Sequence, residues 1–229
     1  MKKDALGDRM KKNYEDRYRF CLTRRMPVIL RLDGKAFHTL TRRCEKPFSP
    51  SFQTTMERTA ITLCEEIQGV KCSFTQSDEI SLLITDFDTI LTDAWFDYNV
   101  QKMVSVSAGI ASASFSSLWG ERGVFDARVF NIPKEEVCNY FIWRQLDWVR
   151  NSIHMLARAH FSQKQLQNKN RDDMEEMLSE KDVYWGGLEP RWRCGTFVCR
   201  TGDEWCVSHE TMFIDKREAI EKYMAPLDG

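Results

Sequence analysis

Val28-Ile29-Leu30-Arg31-Leu32-Asp33-Gly34 decides how the rest of the chain is read. Pro27 closes it in front, β-forming residues fill it, and Asp33-Gly34 ends it. It therefore reads as a short core strand that delivers Asp33 to its carboxyl end. Downstream, Ser49-Pro50 has the cap-then-proline form of a helix start, and Phe52, Met56, Ala60, Leu63 and Ile67 follow at helical spacing as far as Gly69. Val70 to Thr75 and Glu79 to Ile84 are β-prone runs joined by the polar connection Gln76-Ser77-Asp78. The pattern from Thr92 to about Leu118 predicts a helix with a small-residue run, Ala108 to Ala113, that lets it lie close to a sheet. A Gly-containing loop then leads to Phe125 to Phe130, a fourth strand closed by Pro133. The order βαββαβ is the split βαβ arrangement of the α+β class: an antiparallel sheet of four strands with two helices on one face.

Outward from this block, residues 1–26 read as an amphipathic helix or arm, with Tyr14, Tyr18, Phe20 and Leu22 among basic residues. Beyond Pro133, the residues Val137, Phe141, Trp148 and Met155 mark one face of a long helix, and 160–181 is polar and helix-prone. Gly195 to Cys199 and Glu204 to Val207 predict a terminal hairpin around Thr201-Gly202-Asp203. The expected division is a catalytic unit with its arm over 1–132, and a helical appendage with a small hairpin over 133–229 packed on it as one continuous body.

Composition excludes several classes. With 229 residues and 42% apolar content, the chain can build a full core without disulfides or metals. Its longest uncharged run, Met103 to Gly120, holds six serines and is rejected as a membrane span. The charged start Met-Lys-Lys-Asp-Ala-Leu-Gly-Asp lacks the apolar core of a secretory signal, so a cytoplasmic location is expected. Eight scattered cysteines without a Cys-x-x-Cys pair read as reduced thiols. A net charge of −1 conceals a basic window, residues 11–46, with eleven Lys+Arg against four Asp+Glu. Such a window is either a solvated face or a footprint for phosphate-bearing partners.

Asp33-Gly34 at a strand end and Ser77-Asp78-Glu79 at a hairpin converge at one sheet edge if the first and third strands are central neighbours. Mg²⁺ takes a few hard oxygen ligands and keeps places for water and substrate phosphates, so paired carboxylates with a backbone carbonyl suit phosphoryl or nucleotidyl transfer. The competing reading is plain turn chemistry, in which both segments are solvated. Alternation also sets Asp78 with Ile80, Leu82 and Ile84, and aims Glu79 at the opposite face, so the two are not equivalent ligands unless that second face is also covered.

Arg31-Leu32-Asp33-Gly34-Lys35-Ala36-Phe37-His38, Lys46-Pro47, Gln76-Ser77-Asp78-Glu79 and Phe125-Asp126-Ala127-Arg128-Val129 occur in that order. With Trp143 to Asp147, Asn168 to Asn170 and Arg193 to Thr196, they resemble the tRNA-His guanylyltransferase family and its Thg1-like branch over residues 28–200. The resemblance implies a palm-like domain that extends the 5′ end of tRNA in the 3′-to-5′ direction, and a homo-tetramer. ATP or GTP activates a 5′-monophosphate, and the 3′-hydroxyl of an incoming NTP attacks it. It further implies Asp33 and Asp78 bridging two Mg²⁺ with the Gly34 carbonyl as an added ligand, and Glu79 as a supporting catalytic acid. Asp33, Gly34, Lys35, Ala36, Phe37, His38, Ser77 and Asp78 would bind the nucleotide, and Lys46, Lys102 and Arg128 the phosphates of the RNA 5′ end.

One departure from the family pattern favours its repair branch, and a second bears on the contacts for nucleotide activation. Where the guanosine-adding branch carries a His-Ile-Asn-Asn-Leu-Tyr-Asn run, this chain has Val149-Arg150-Asn151-Ser152-Ile153-His154-Met155, and Asn99 stands where that branch tends to have Arg. The expected substrate is therefore a tRNA with an incomplete 5′ end, with tRNA-His guanylylation, a palm-type nucleotide cyclase and a non-catalytic RNA-binding module as the competing readings. Zinc spacings, Gly-x-Gly-x-x-Gly, a Walker loop and Gly-x-Ser-x-Gly are absent from the sequence.

Overall fold

A computed structural model describes residues 4–225. The arm carries α1 (Ala5–Met10) and joins the body at Leu22, whose N–H donates to the Tyr98 carbonyl. The chain then runs through β1 (Val28–Gly34), α2 (Phe37–Leu40), α3 (Pro50–Glu66), β2 (Val70–Gln76), β3 (Glu79–Ile84), α4 (Val100–Trp119) and β4 (Phe125–Asn131). It continues through α5 (Lys134–His160), α6 (Gln163–Leu166), α7 (Arg171–Ser179), α8 (Pro190–Cys194), β5 (Thr196–Thr201), β6 (Glu204–Ser208) and α9 (Glu218–Glu221). Among the described residues no helix is long and apolar enough to cross a membrane.

The strand order is β4-β1-β3-β2-β5-β6, with every neighbouring pair antiparallel. β1 lies between β3 and β4, so Asp33 faces Glu79 across one ladder and Asp126 across the other. The C-terminal hairpin extends the sheet itself: β5 pairs with β2 from Cys72↔Cys199 to Thr75↔Thr196, and the sheet has six strands where four were expected. The physical reason is the free ladder that β2 would otherwise present as an edge.

Helices also cover both faces. Val28, Leu30, Leu32, Ile80, Leu82 and Ile84 pack under Met56, Ala60 and Leu63 of α3 and Met103, Ala111 and Phe115 of α4. On the other face Ile29, Leu83, Cys72 and Phe74 meet Val137, Tyr140 and Phe141 of α5. All six residues of β3 are buried in consequence. α5 is about 40 Å long at 1.5 Å per residue, and its C-terminal half leaves the sheet, where Ile153 and Leu156 pack on Met174 and Leu178 of α7.

Ser49 caps α3 by accepting the Phe52 N–H, and Pro50 opens it, as its sequence dictates. α4 starts later than its periodicity suggests. Trp95 and Tyr98 are buried in a short turn, Phe96, Asp97 and Tyr98 have φ values of 51–55°, and Asn99 accepts the Lys102 N–H to begin the helix at Val100.

Two features generate tests of this architecture. Phe115 is fully buried against Phe37 and Phe125, with ring centroids 4.9 and 5.7 Å away. Phe115→Ala should cost about 3–5 kcal/mol in urea unfolding, the usual range for a truncated core aromatic.

Glu57 on α3 accepts the Thr196 hydroxyl at 2.9 Å and lies 2.7 Å from His209 Nε2, bolting α3 to the C-terminal hairpin. Burial alone would push this carboxyl up, but the bonds from His209 and Thr196, with the charge of Arg191, outweigh it and hold it below its ordinary value of 4.5. Its contribution is thus complete above that value and vanishes as pH falls through the lower folded one. Glu57→Gln should flatten the fall of the urea midpoint on acidification below pH 4.5, and an unchanged fall would remove the assignment.

Candidate active site at the carboxyl end of β1

The chain leaves β1 through a tight passage. The Gly34 N–H donates to the Asp78 carbonyl at 3.0 Å and the Lys35 N–H to the Val124 carbonyl at 2.8 Å, tying the strand end to the β2–β3 turn and to the approach to β4. Ala36, at φ 58°, turns the chain into α2. A Cβ on Gly34 would lie 2.6 Å from the Phe37 ring, so glycine is demanded here by packing as well as by any approach of a ligand. The Phe37 side chain is core, 3% exposed and locked against Phe52, Phe115 and Phe125; only its backbone is available to a ligand.

Beside this passage opens a cavity of about 410 Å³, within the size range of small-ligand sites. Gly34, Ala36, His38, Lys46, Ser77 and Asp78 line it, joined by Gln76, Phe48, Trp192 and, from α5, Trp148, Met155 and Arg158. Phe48 and Trp192 stack at 4.9 Å with 9° between their planes, making a flat aromatic wall. Lys46 Nζ donates to the Thr41 carbonyl at 3.3 Å, which holds its charge at the rim.

Asp33 and Asp78 each sit above their ordinary carboxyl range. Burial is the main cause for both; Asp126 repels Asp33 further, and Asp33 repels Asp78. Ser77, at φ 50°, donates its hydroxyl to Asp78 Oδ1 at 3.2 Å. Arg128 stands opposite Arg31 on β4, more than half exposed, and its charge partly offsets the repulsion at Asp33.

Glu79 points to the second sheet face, as alternation predicts, and there meets α5. Arg144 donates Nε to Oε1 and Nη2 to Oε2, both at 2.7 Å, and Nη2 also donates to Asp147 at 2.9 Å. Both Glu79 oxygens are thereby committed to Arg144 beneath the site, which is the place of a positioning residue. The covering of the second face, needed for Glu79 to be buried at all, is supplied by α5.

Besides Glu79, four expected site residues do not line the cavity: Asp33, whose neighbour Gly34 does, Arg128 on β4, Lys35 and Lys102. Lys35 lines a neighbouring cleft rather than the cavity. Lys102 is not brought to the site: the entry of α4 is anchored at the opposite end of β1, where the Val100 N–H donates to Phe20 and Cys21 bridges Asn99. The exit of α4 adjoins the passage, where Ser116 exchanges hydrogen bonds with Gly123, so Lys102 stands about 20 Å away along the helix.

Sequence reasoning misses Met155 and Arg158 as cavity residues, takes Trp148 and Trp192 as core, and gives Arg144 no role. For Arg144 a signal was present, because an arginine on the apolar stripe of Val137, Phe141 and Trp148 requires a buried acid.

An antiparallel palm-type sheet that carries paired carboxylates at a strand end and hairpin, beside a nucleotide-sized cavity, has the architecture of a nucleotidyltransferase. Comparison with known proteins agrees. The family profile described as Thg1, tRNAHis guanylyltransferase, matches residues 7–133. A solved bacterial tRNA(His) guanylyltransferase (Thg1)-like protein in complex with ATP is 42% identical, with a TM-score of 0.91, over 96% of this chain and 99% of that one. A GTP complex of such a protein is 41% identical with a TM-score of 0.86, again over 96% and 99%. A probable tRNA(His) guanylyltransferase of Dictyostelium discoideum is 24% identical over 75% of this chain and 74% of its own length. The chain belongs to the tRNA(His) guanylyltransferase (Thg1) family, and with that family it is a nucleotide-binding transferase of tRNA processing.

The Arg144–Glu79 pair gives a test independent of substrate. Arg144→Met alone should destabilise by about 3–5 kcal/mol, because it strands a buried carboxylate, whereas adding Glu79→Gln should recover much of that loss. Urea unfolding of the two single variants and the double variant measures the coupling.

Proposed function

We propose that this protein is a Mg²⁺-dependent nucleotidyltransferase that restores missing nucleotides to the 5′ end of tRNA in the 3′-to-5′ direction, as a homo-tetramer in the cytoplasm. The observation that carries the reading is the Gly34–Asp78 hydrogen bond, which ties the Asp33 strand end to the Asp78 turn at the mouth of the cavity. The donor set fits Mg²⁺: carboxylates with raised proton affinity and a backbone carbonyl are hard oxygens. When bound, Mg²⁺ would neutralise phosphate charge and activate the attacking oxygen.

The chain's own part is to orient two reactions. The RNA 5′-phosphate oxygen attacks the α-phosphorus of ATP or GTP, and the bond to pyrophosphate breaks. The 3′-hydroxyl oxygen of an NTP then attacks the activated 5′-phosphorus, loses its proton to solvent and displaces the nucleoside monophosphate. Phe48 and Trp192 offer a base a stacking wall, the loop from Gly34 to His38 and the Ser77-Asp78 turn flank the phosphates, and Lys46 supplies charge at the rim. The nucleotide complexes solved for bacterial relatives at about 40% identity support an NTP at this site.

Repair is favoured over guanosine addition by α5. At the positions of the guanosine-adding run, Val149, Ser152 and Ile153 are 5%, 0% and 0% exposed, and Ser152 accepts the Trp185 indole N–H. These three positions are spent on packing, whereas Met155, the last of the run, lines the cavity. Asn99 caps α4 far from the cavity. Eight unpaired cysteines agree with a reducing compartment.

Incubation with 5′-monophosphorylated tRNA lacking its first nucleotide, Mg²⁺, ATP and each labelled NTP should restore the templated nucleotide, and Asp33→Asn or Asp78→Asn should abolish this with the circular dichroism spectrum unchanged. Preferential addition of G to full-length tRNA(His) would overturn the repair reading, and cyclised NTP as the product would overturn tRNA as the substrate.

A further inference from the structure

A second concavity shares a wall with the candidate site. Ala36, Phe37, Cys44, Glu45 and Ser49 border both, but the second is about 1,260 Å³ against about 410 Å³ and opens between the 35–45 loop and the end of α4. Four exposed cations converge on it: Lys35, Arg42 and Arg43 from the loop, and Arg122 from the α4–β4 connection. Among the described residues none of the four has an acidic partner within 4.0 Å, unlike Arg24, Arg144 and Arg217, which are all paired. Glu45 and Glu121 are the carboxylates of the cleft, leaving it with an excess of two positive charges.

We infer that this cleft is the track for the sugar-phosphate backbone of the RNA strand whose 5′ end enters the candidate site. The inference rests on the function proposed above and adds the surface that holds the polymer. If the reacting 5′-phosphate lies at Asp33 and Asp78, the nucleotides behind it must leave the cavity by a continuous surface, and the 35–45 loop joins the cavity to the cleft. Unpaired guanidinium groups on that surface match phosphodiesters in geometry and charge. A free triphosphate fits less well. The cleft is three times the volume of the nucleotide-sized cavity, and its cations are exposed side chains rather than buried donors converging on one point. The cleft accounts for part of the basic window at 11–46, which the chemistry of the site leaves unused.

Removing one cation that neutralises an RNA phosphate should lower the slope of log affinity against log salt by about 0.7–0.9. The test titrates 5′-monophosphorylated tRNA lacking its first nucleotide into the full-length protein between about 50 and 200 mM salt, and measures ATP binding in parallel. The triple variant Arg42→Ala/Arg43→Ala/Arg122→Ala should lose about two to three units of slope, by that same factor of about 0.7–0.9 per cation, with ATP affinity unchanged. A charge-matched control, Arg200→Ala/Lys216→Ala/Lys222→Ala, removes exposed cations outside the cleft and should leave the slope as it was. An unchanged slope in the cleft variant, or an equal loss in the control, would overturn the inference while leaving the proposed function standing. Loss of ATP affinity with RNA binding intact would reassign the cleft to the triphosphate. Failure of the unaltered protein to bind the RNA at any salt would overturn the inference together with the function beneath it.

Discussion

Everything near the candidate site hangs on one buried ion pair. Glu79 begins β3, immediately after the turn that holds Asp78, and is 6% exposed; Arg144 lies in the middle of α5 and is 7% exposed. A carboxylate taken that far from water is tolerable only with a fully committed partner, and a guanidinium with two N–H groups on its two oxygens is the best available. The pair fixes the register of α5 on the sheet and the height of the turn beneath which it sits. Arg144 extends the network to Asp147, which also meets Arg150 and Asn151, so the middle of α5 is a charged seam in an otherwise apolar layer. The placement of Trp148, Met155 and Arg158 over the cavity follows from that register.

The electrostatics at the strand end run against this stability. Asp33 lies between Glu79 and Asp126 on the two ladders; burial and then the Asp126 charge raise its proton affinity, and Arg31, Arg128 and Arg144 only partly offset them. A concentration of carboxyls on the rigid end of a sheet, only partly offset by arginines, is costly to the fold alone, and it is the environment in which a cation, and phosphates only through that cation, would find complementary charge. The surrounding parts are correspondingly stiff. Gly34 is wedged by Phe37, Phe37 is wedged by Phe115, and Phe115 belongs to the helix that ends beside the same passage.

Much of this was legible in the chain itself, and the misses have physical causes. The order of strands and helices up to Pro133 follows from short-range signals: Ser49-Pro50 as a cap, Gln76-Ser77-Asp78 as a polar connection, of which Gln76 belongs to β2, and Pro27 and Pro133 as brackets. The convergence of Asp33 with the turn followed from topology. What failed was long-range. A hairpin at 196–208 looks the same in sequence whether it stands apart or extends a sheet, because pairing with β2 leaves no local mark. The place of Lys102 depends on the direction of α4, which composition does not encode, and the side chain of Phe37 is claimed by aromatic partners scattered from position 52 to 125. The conflict over Glu79 was itself informative, since alternation demanded a covered second face and α5 covers it.

The six-stranded order carries a consequence for how the molecule is made. Thr75 finds its ladder partner at Thr196, more than a hundred residues later in the chain. As the polypeptide leaves the ribosome, β1, β3 and β4 can assemble with α3 and α4 into a partial domain, but β2 keeps an open backbone edge until β5 has been synthesised. That edge is an invitation to foreign strands, and closing so long a loop is slow. The nascent protein therefore carries an unfinished sheet through the synthesis of the residues between β2 and β5, and β2 is the edge that needs shielding during that interval.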